Sequence, residues 1–255
     1  MKNLKRLLLP LCLLLTFCLF TGCAATLDKD ALRQQYLDGK AAYDERDYER
    51  AYALLEPAAI GGDKDARYYL AILYDFGRGV PVNHEKAVEW YIKAAEQGQI
   101  EAQYNLAISY ERGEGVEQDH AQALYWYTRS AEGGDTDAMF NLGYKYDMGK
   151  GVEQSDEKAF YWYSKAAELG DTDAMFNLAI MYDDGQGMPE DPQKAFDLFK
   201  AVAEADDADG QYETGIMYRD GRGVAQDLTQ ARYWLQKAAE QGNSKAYNAL
   251  QKLEK

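Results

Sequence analysis

Thiols, imidazoles and prolines are scarce in this chain, with three Cys, two His and five Pro in 255 residues. All three cysteines (Cys12, Cys18 and Cys23) fall within the first 23 positions. Everything downstream lacks a thiol, which excludes a disulfide framework or a cysteine metal site there. The histidines, His84 and His120, have neither a cysteine nor a clustered carboxylate set beside them, so they read as surface residues and not as metal ligands. Bases are outnumbered, 28 Lys plus Arg against 43 Asp plus Glu, for a net charge of −15. Such a chain gains nothing from counterion release on a phosphate backbone, and nucleic acid is excluded as a partner. No Gly-rich loop follows a strand pattern, so no phosphate-binding fold or nucleotide cofactor is implied. The single long apolar stretch, 7–20, is shorter than the roughly 20 residues that a membrane span requires. With 21 tyrosines the acidic remainder is far too aromatic for a disordered tail.

The amino-terminal segment reads as an address. Lys2, Lys5 and Arg6 form a positive n-region ahead of the apolar stretch, the pattern of a secretory signal. Leu19-Phe20-Thr21-Gly22-Cys23 resembles the lipobox of bacterial lipoprotein signal peptides, with Phe20 in place of the usual aliphatic residue. The resemblance implies a signal peptide over 1–22, diacylglycerol on the Cys23 sulfur and attachment to the membrane through that lipid. Ala24 stands where an Asp would direct inner-membrane retention, which implies the outer membrane. The alternative is an ordinary signal cut after Ala25 and a freely secreted protein. Loss of 1–22 removes three bases and no acid, leaving 25 against 43 and a net charge of −18.

The remainder is periodic. A Gly-x-Gly followed by an apolar residue recurs at Gly77-Gly79-Val80, Gly113-Gly115-Val116, Gly149-Gly151-Val152, Gly185-Gly187-Met188 and Gly221-Gly223-Val224, always with a step of 36. Ala87, Ala123, Ala159, Ala195 and Ala231 keep that step, as do Trp90, Trp126, Trp162 and Trp234 with Leu198 as the exception. Gly98, Gly134, Gly170 and Gly242 close the units, with Asp206 as the exception. Five copies result: 63–98, 99–134, 135–170, 171–206 and 207–242. Each reads as two helices. Ala102, Leu106, Ala107 and Tyr110 have helical spacing, the Gly pair breaks the helix, and Asn83, Asp119, Ser155, Asp191 and Asp227 are N-cap residues for the next one. Small Ala allows close helix approach, and Trp is expected to fill the gap between neighbouring pairs. Gly39, Ala51, Leu55 and Ala58 carry the spacing of a related unit without the Gly-x-Gly insertion, 28–62, in which Pro57 should kink the second helix or end it early. Residues 243–255 form one more helix, a cap over the last apolar face.

This pattern resembles the Sel-one-like repeat family of the tetratricopeptide (TPR) superfamily. It is clearest in Ala138, Phe140-Asn141-Leu142-Gly143, Tyr146, Gly149-Lys150-Gly151-Val152, Lys158-Ala159, Trp162-Tyr163 and Lys165-Ala166-Ala167-Glu168-Leu169-Gly170. The resemblance implies an all-α fold, an α-α superhelix or solenoid of helix-turn-helix repeats, whose concave wall docks peptides or helices of other proteins. The first helices line that wall. Tyr68, Tyr104, Phe140, Phe176 and Tyr212 form an aromatic column on them, followed by Asn105, Asn141 and Asn177. Two roles stand open for each column: ligand contacts, or packing and bonding between stacked repeats. Arg67, Arg112, Tyr144, Lys145 and Arg219 vary within the fixed frame and are candidates for specificity, with a solvated surface role as the alternative. Asp135, Asp137, Asp171, Asp173, Asp207 and Asp209 sit at helix starts, where negative charge suits the macrodipole.

The functional expectation is a periplasm-facing envelope lipoprotein acting as an interaction scaffold, not an enzyme. The alternative is a surface-displayed or secreted factor that binds a host protein. Relatives with cysteine-clipped repeats are linked to β-lactams, and Ser155-Asp156-Glu157-Lys158 matches the Ser-x-x-Lys of serine β-lactamases. Ser155, however, lies in the N-cap column, Lys86 and Lys194 share the column of Lys158, and no Lys-Thr-Gly or Ser-Asp-Asn accompanies the pair.

Overall fold

The computed structural model describes residues 29–253. The expected signal peptide and Cys23 lie outside the described residues. Thirteen helices and no strand occur among those described, packed as successive pairs in an all-α repeat solenoid. They fall into two compact units, one ending at Asn83 and the other beginning at His84, so the boundary cuts the first 36-residue copy.

The first unit holds α1 (Lys29–Asp44), α2 (Tyr48–Ile60) and α3 (Lys64–Phe76). A turn of three residues joins α1 to α2, with Arg46 at a φ of 64° and Asp47 capping α2 through the Arg50 amide. Pro57 does not end α2 early. That helix keeps 13 residues and runs on to Ile60, because Pro57 sits in the last turn and its carbonyl still accepts the Gly61 N–H at 2.9 Å. Leu55, Ala58, Leu70 and Leu73 are fully buried. Arg78, in the turn after α3, lies over the rings of Tyr43, Tyr48 and Phe76 and donates to the Tyr43 hydroxyl.

The second unit opens with α4 (His84–Ala95). It continues with α5 (Ile100–Arg112), α6 (His120–Glu132), α7 (Thr136–Met148), α8 (Asp156–Glu168), α9 (Thr172–Asp184), α10 (Pro192–Glu204), α11 (Ala208–Asp220), α12 (Leu228–Glu240) and α13 (Ser244–Leu253). Odd-numbered helices up to α11 are the first of each pair. The N-cap column works as such: Asp119, Ser155, Asp191 and Asp227 each accept backbone amides of the helix they precede. Gly113, Gly149, Gly185 and Gly221 end the first helices in the left-handed conformation and donate to the carbonyl four residues back. Proximity sets the second glycine of each turn. A Cβ on Gly115 would stand 2.2 Å from the His84 carbonyl oxygen, and one on Gly223 would stand 1.9 Å from that of Pro192. Each turn is thus pressed onto the first residue of the preceding copy's second helix, which ties copy to copy.

The Ala column is almost completely buried, and α13 covers Leu235 and Ala238 with Ala246 and Ala249. Gap-filling does not fall to the tryptophans alone, although Trp234 is buried and Trp126 and Trp162 pack against the core. Tyr91, Tyr127, Tyr163, Phe199 and Leu235, one position later, are at most 2% exposed. Trp126 and Trp162 are only partly buried and rest edge-on against the exposed Tyr125 and Tyr161, at 4.9 Å in both cases. Being next to each other on a helix, Trp and Tyr point about 100° apart, and the interior went to the residue aligned with the Ala four positions earlier.

Candidate functional site

On the first helices of the second unit the aromatic column is half-buried. One edge of each ring meets the core residue of its own pair. Tyr104 packs on Tyr127 at 5.7 Å, Phe140 on Tyr163 at 5.8 Å and Phe176 on Phe199 at 5.3 Å between centroids. The column therefore does serve packing, but it is not consumed by it, since an outer edge is left on each ring.

The amide column shows how the copies are linked there. Asn105 donates to the Tyr91 hydroxyl at 3.4 Å and Asn141 donates to the Tyr104 hydroxyl at 3.0 Å, each reaching the preceding copy. Asn177 breaks the series. The place that Tyr104 holds for Asn141 is taken here by Phe140, which has no hydroxyl, and Asn177 turns back to its own helix, donating to the Asp173 carbonyl at 3.0 Å. At this break lies a groove of about 160 Å³, floored by Phe140, Phe176 and Val202 and rimmed by Thr172, Asp173, Asn177, Asp207 and Asp209. It holds apolar surface, an amide and carboxylates, but no base. Of the expected residues, the structure brings Phe140, Phe176 and Asn177 together here; Tyr104 and Asn141 join each other one copy earlier.

The remaining candidates are engaged elsewhere. Lys145 is not a surface base: its side chain is 7% exposed and its ammonium lies 2.5 Å from Glu111 Oε1. Tyr127 donates to the other Glu111 oxygen at 2.8 Å, so this trio ties α5, α6 and α7 together. Burial raises the pKa of the Glu111 carboxyl, but the hydrogen bonds from Lys145 and Tyr127 outweigh it and hold the group below the ordinary carboxylate range. In the first unit, Arg67 donates from Nε to the Ala59 carbonyl at 3.0 Å, a bond that Gln103 and Gln211 repeat to Ala95 and Ala203. Tyr68, also in that unit, packs edge-on against Tyr69. Tyr144 accepts from Lys150 at 2.7 Å, and Arg219 binds Asp220 through two bonds of 2.7 Å. Arg112 is well exposed, with only a 4.0 Å approach to Glu114. Tyr212 packs with Leu235 and its neighbours and has Lys245 5.9 Å above its ring.

The Ser155 hydroxyl accepts from the Lys158 amide and donates to Glu157 at 3.1 Å, while the Lys158 ammonium sits 4.9 Å from the Tyr146 ring centre. Among the described residues no hydrogen bond joins the Ser155 hydroxyl to that ammonium.

Sequence comparison gives these pairs a family. A family model of the Sel1 repeat matches residues 36–63, 64–99, 100–135, 136–171, 172–207 and 208–243. The chain belongs to the Sel1 repeat family. Its first match, 36–63, covers the pair that the sequence sets apart by its missing Gly-x-Gly. A Sel1 repeat protein from Oxalobacter formigenes is 34% identical, with a TM-score of 0.73 over 87% of this chain and 88% of that one. The c5321 protein, a protective antigen of uropathogenic Escherichia coli displaying an SLR fold, is also 34% identical, with a TM-score of 0.80 over 88% of this chain. This Sel1 repeat chain spans about half, 51%, of the c5321 chain. No protein of curated function matches significantly. Sel1 repeat proteins act as protein–protein interaction scaffolds, and their fold is generally non-enzymatic.

Proposed function

We propose that this Sel1 repeat protein is a lipid-anchored adaptor of the bacterial envelope that holds partner polypeptides on the first-helix face of residues 84–255. The observation that carries the reading is the groove at Phe140, Phe176 and Asn177, where aromatic edges and a side-chain amide stand side by side. Aromatic edges suit apolar side chains, and an amide suits the backbone of an extended peptide. The lipobox-like sequence ending at Cys23 and the Ala24 after it support an anchor in the outer membrane, facing the periplasm. Cys23→Ser tests the anchor: the variant should lose acyl labelling and leave the membrane fraction, and a variant that stays membrane-bound refutes it. Photocrosslinking from the groove in intact cells tests the docking. One identified envelope protein should be joined, and loss of that product in Phe140→Ala should accompany loss of the complex.

A second reading, display on the cell surface toward a host protein, draws on the likeness to c5321, which is described as a protective antigen. Protease treatment of intact cells separates the two: cleavage favours display, and protection favours the periplasm.

A further inference from the structure

The N-terminal turns of the first helices form a ladder of like charge. Glu101, Asp137, Asp173 and Asp209 occupy one column at a step of 36. Asp135, Asp171 and Asp207, two residues earlier, spend an oxygen on capping their helices. The second acid of each pair has no such duty. Continued in both directions, the column reaches a base. Lys245 follows Asp209 after 36 residues, and Arg33 stands six residues before Gly39, as Asp137 stands before Gly143 and Asp209 before Gly215. Those three glycines are equivalent, each pressed against the second helix of its own pair through Leu55, Tyr163 and Leu235 respectively.

The first unit shows what this column does with a cation. Arg33 places Nη1 2.7 Å from Asp65 and 3.3 Å from Asp63, the acid pair of the next first helix. Its guanidinium lies 4.3 Å from the ring centre of Tyr36, a member of the aromatic column by the same register. The chain's own arginine is thus seated between an acid pair and a column aromatic. At the far end of the second unit, Asn243 donates to Asp209 at 2.8 Å. Between these ends, Asp137 and Asp173 have no base bonded to them among the described residues, and Asp173 lines the Phe140–Phe176 groove. Burial, with Asp135 and Asp171 close by, holds the Asp137 carboxyl above the ordinary range.

We propose that Asp173, with Asp137 in the column place that Arg33 holds in the first unit, receives a basic side chain of an extended partner segment as Asp65 receives Arg33, while the partner's neighbouring apolar side chain fills the groove over Phe140, Phe176 and Val202. This rests on the docking face proposed above and adds the chemistry of its occupant, a polypeptide segment in which Arg or Lys adjoins an aromatic or aliphatic residue.

The test is fluorescence anisotropy on the full chain with a labelled Gly-Arg-Phe-Arg-Leu-Gly peptide and its counterpart carrying Glu for Arg. The basic peptide should bind, weaken several-fold as salt rises from about 50 to 300 mM, and lose about tenfold in affinity to Asp137→Asn/Asp173→Asn. That variant should melt within a few degrees of the wild type, because it leaves every N-cap in place and the helix-dipole charge it gives up is offset in part by the repulsion it removes. Equal affinity of the variant, equal binding of the acidic peptide, or no binding of the basic one overturns the assignment. If the envelope partner then crosslinks at Phe176 through a segment without Arg or Lys, the docking face survives and only its cationic occupant falls. If nothing crosslinks there, both fall.

Discussion

Replacing Gly115 by Ala, beside the same change at Gly134, isolates the contact that stacks one copy on the next. Both glycines have a positive φ, 72° and 101°, so either alanine carries a backbone cost of about 1–2 kcal/mol. Their surroundings differ. At Gly134 the new methyl meets nothing within 4 Å, whereas at Gly115 it lies 2.2 Å from the His84 carbonyl oxygen, 2.3 Å from its carbon and 2.8 Å from the Glu85 nitrogen. All three are backbone atoms, so no rotamer change relieves the overlap and the turn must lift off the start of α4 by about an ångström. Such overpacking adds about 1–3 kcal/mol. At roughly 2–4 °C per kcal/mol for a chain of this size, Gly134→Ala should melt a few degrees low and Gly115→Ala about twice as far. Thermal and urea denaturation followed by far-UV circular dichroism measure both. Equal shifts would show that the second glycine is chosen for its turn alone, and the stacking argument would fail.

Other perturbations probe the polar contacts. Lys145→Met, which installs the residue that Met181 and Met217 supply in later copies, should cost about 1–3 kcal/mol by leaving Glu111 without its cation. In a double-mutant cycle with Glu111→Gln a coupling near 1 kcal/mol is expected, reduced because the Glu111 side chain is 35% exposed. The Glu111 pKa is lowered in the fold, so that coupling is full above the ordinary carboxylate range and fades as pH falls through the folded value; a coupling that grows toward acid contradicts the assignment. Glu213 behaves oppositely. Burial raises its pKa, against Lys245 and with Asp183 and Asp209, so its charge destabilises the fold at neutral pH. Glu213→Gln should raise the melting temperature at pH 7, and the gain should close as pH falls through the folded pKa and the wild-type group takes up its proton. Ser155→Ala should cost about 1 kcal/mol through loss of the cap, and Ser155→Asp should restore it, as seen by urea midpoints.

Much of this was legible because each copy repeats the same local rules. The cap residues, the left-handed glycines and the Ala stripe depend on backbone needs within one copy, and five aligned copies make them plain. What escaped depends on neighbours. Trp looked like the core residue because it is the largest, yet the Tyr after it lies in line with the Ala four positions earlier. Lys145 and Arg67 looked free because their partners, Glu111 and the Ala59 carbonyl, belong to the preceding pair. Val202, in the groove floor, replaces the small Ala94, Ser130, Ala166 and Ala238 of its column, while Gly210 replaces Ala66, Ala102, Ala138, Ala174 and Ala246 of another. A Cβ on Gly210 would lie 2.6 Å from Val202, so the two exceptions compensate each other. That signal was in the aligned columns, and only contact between them gives it meaning.

The claim on which the function rests is that partners occupy the first-helix face. A photoreactive amino acid placed at Phe176, and separately at the exposed Tyr161 of second helix α8, tests it in the native envelope. The account predicts one identified polypeptide joined at 176 and not at 161; the same polypeptide joined at 161 alone would contradict it.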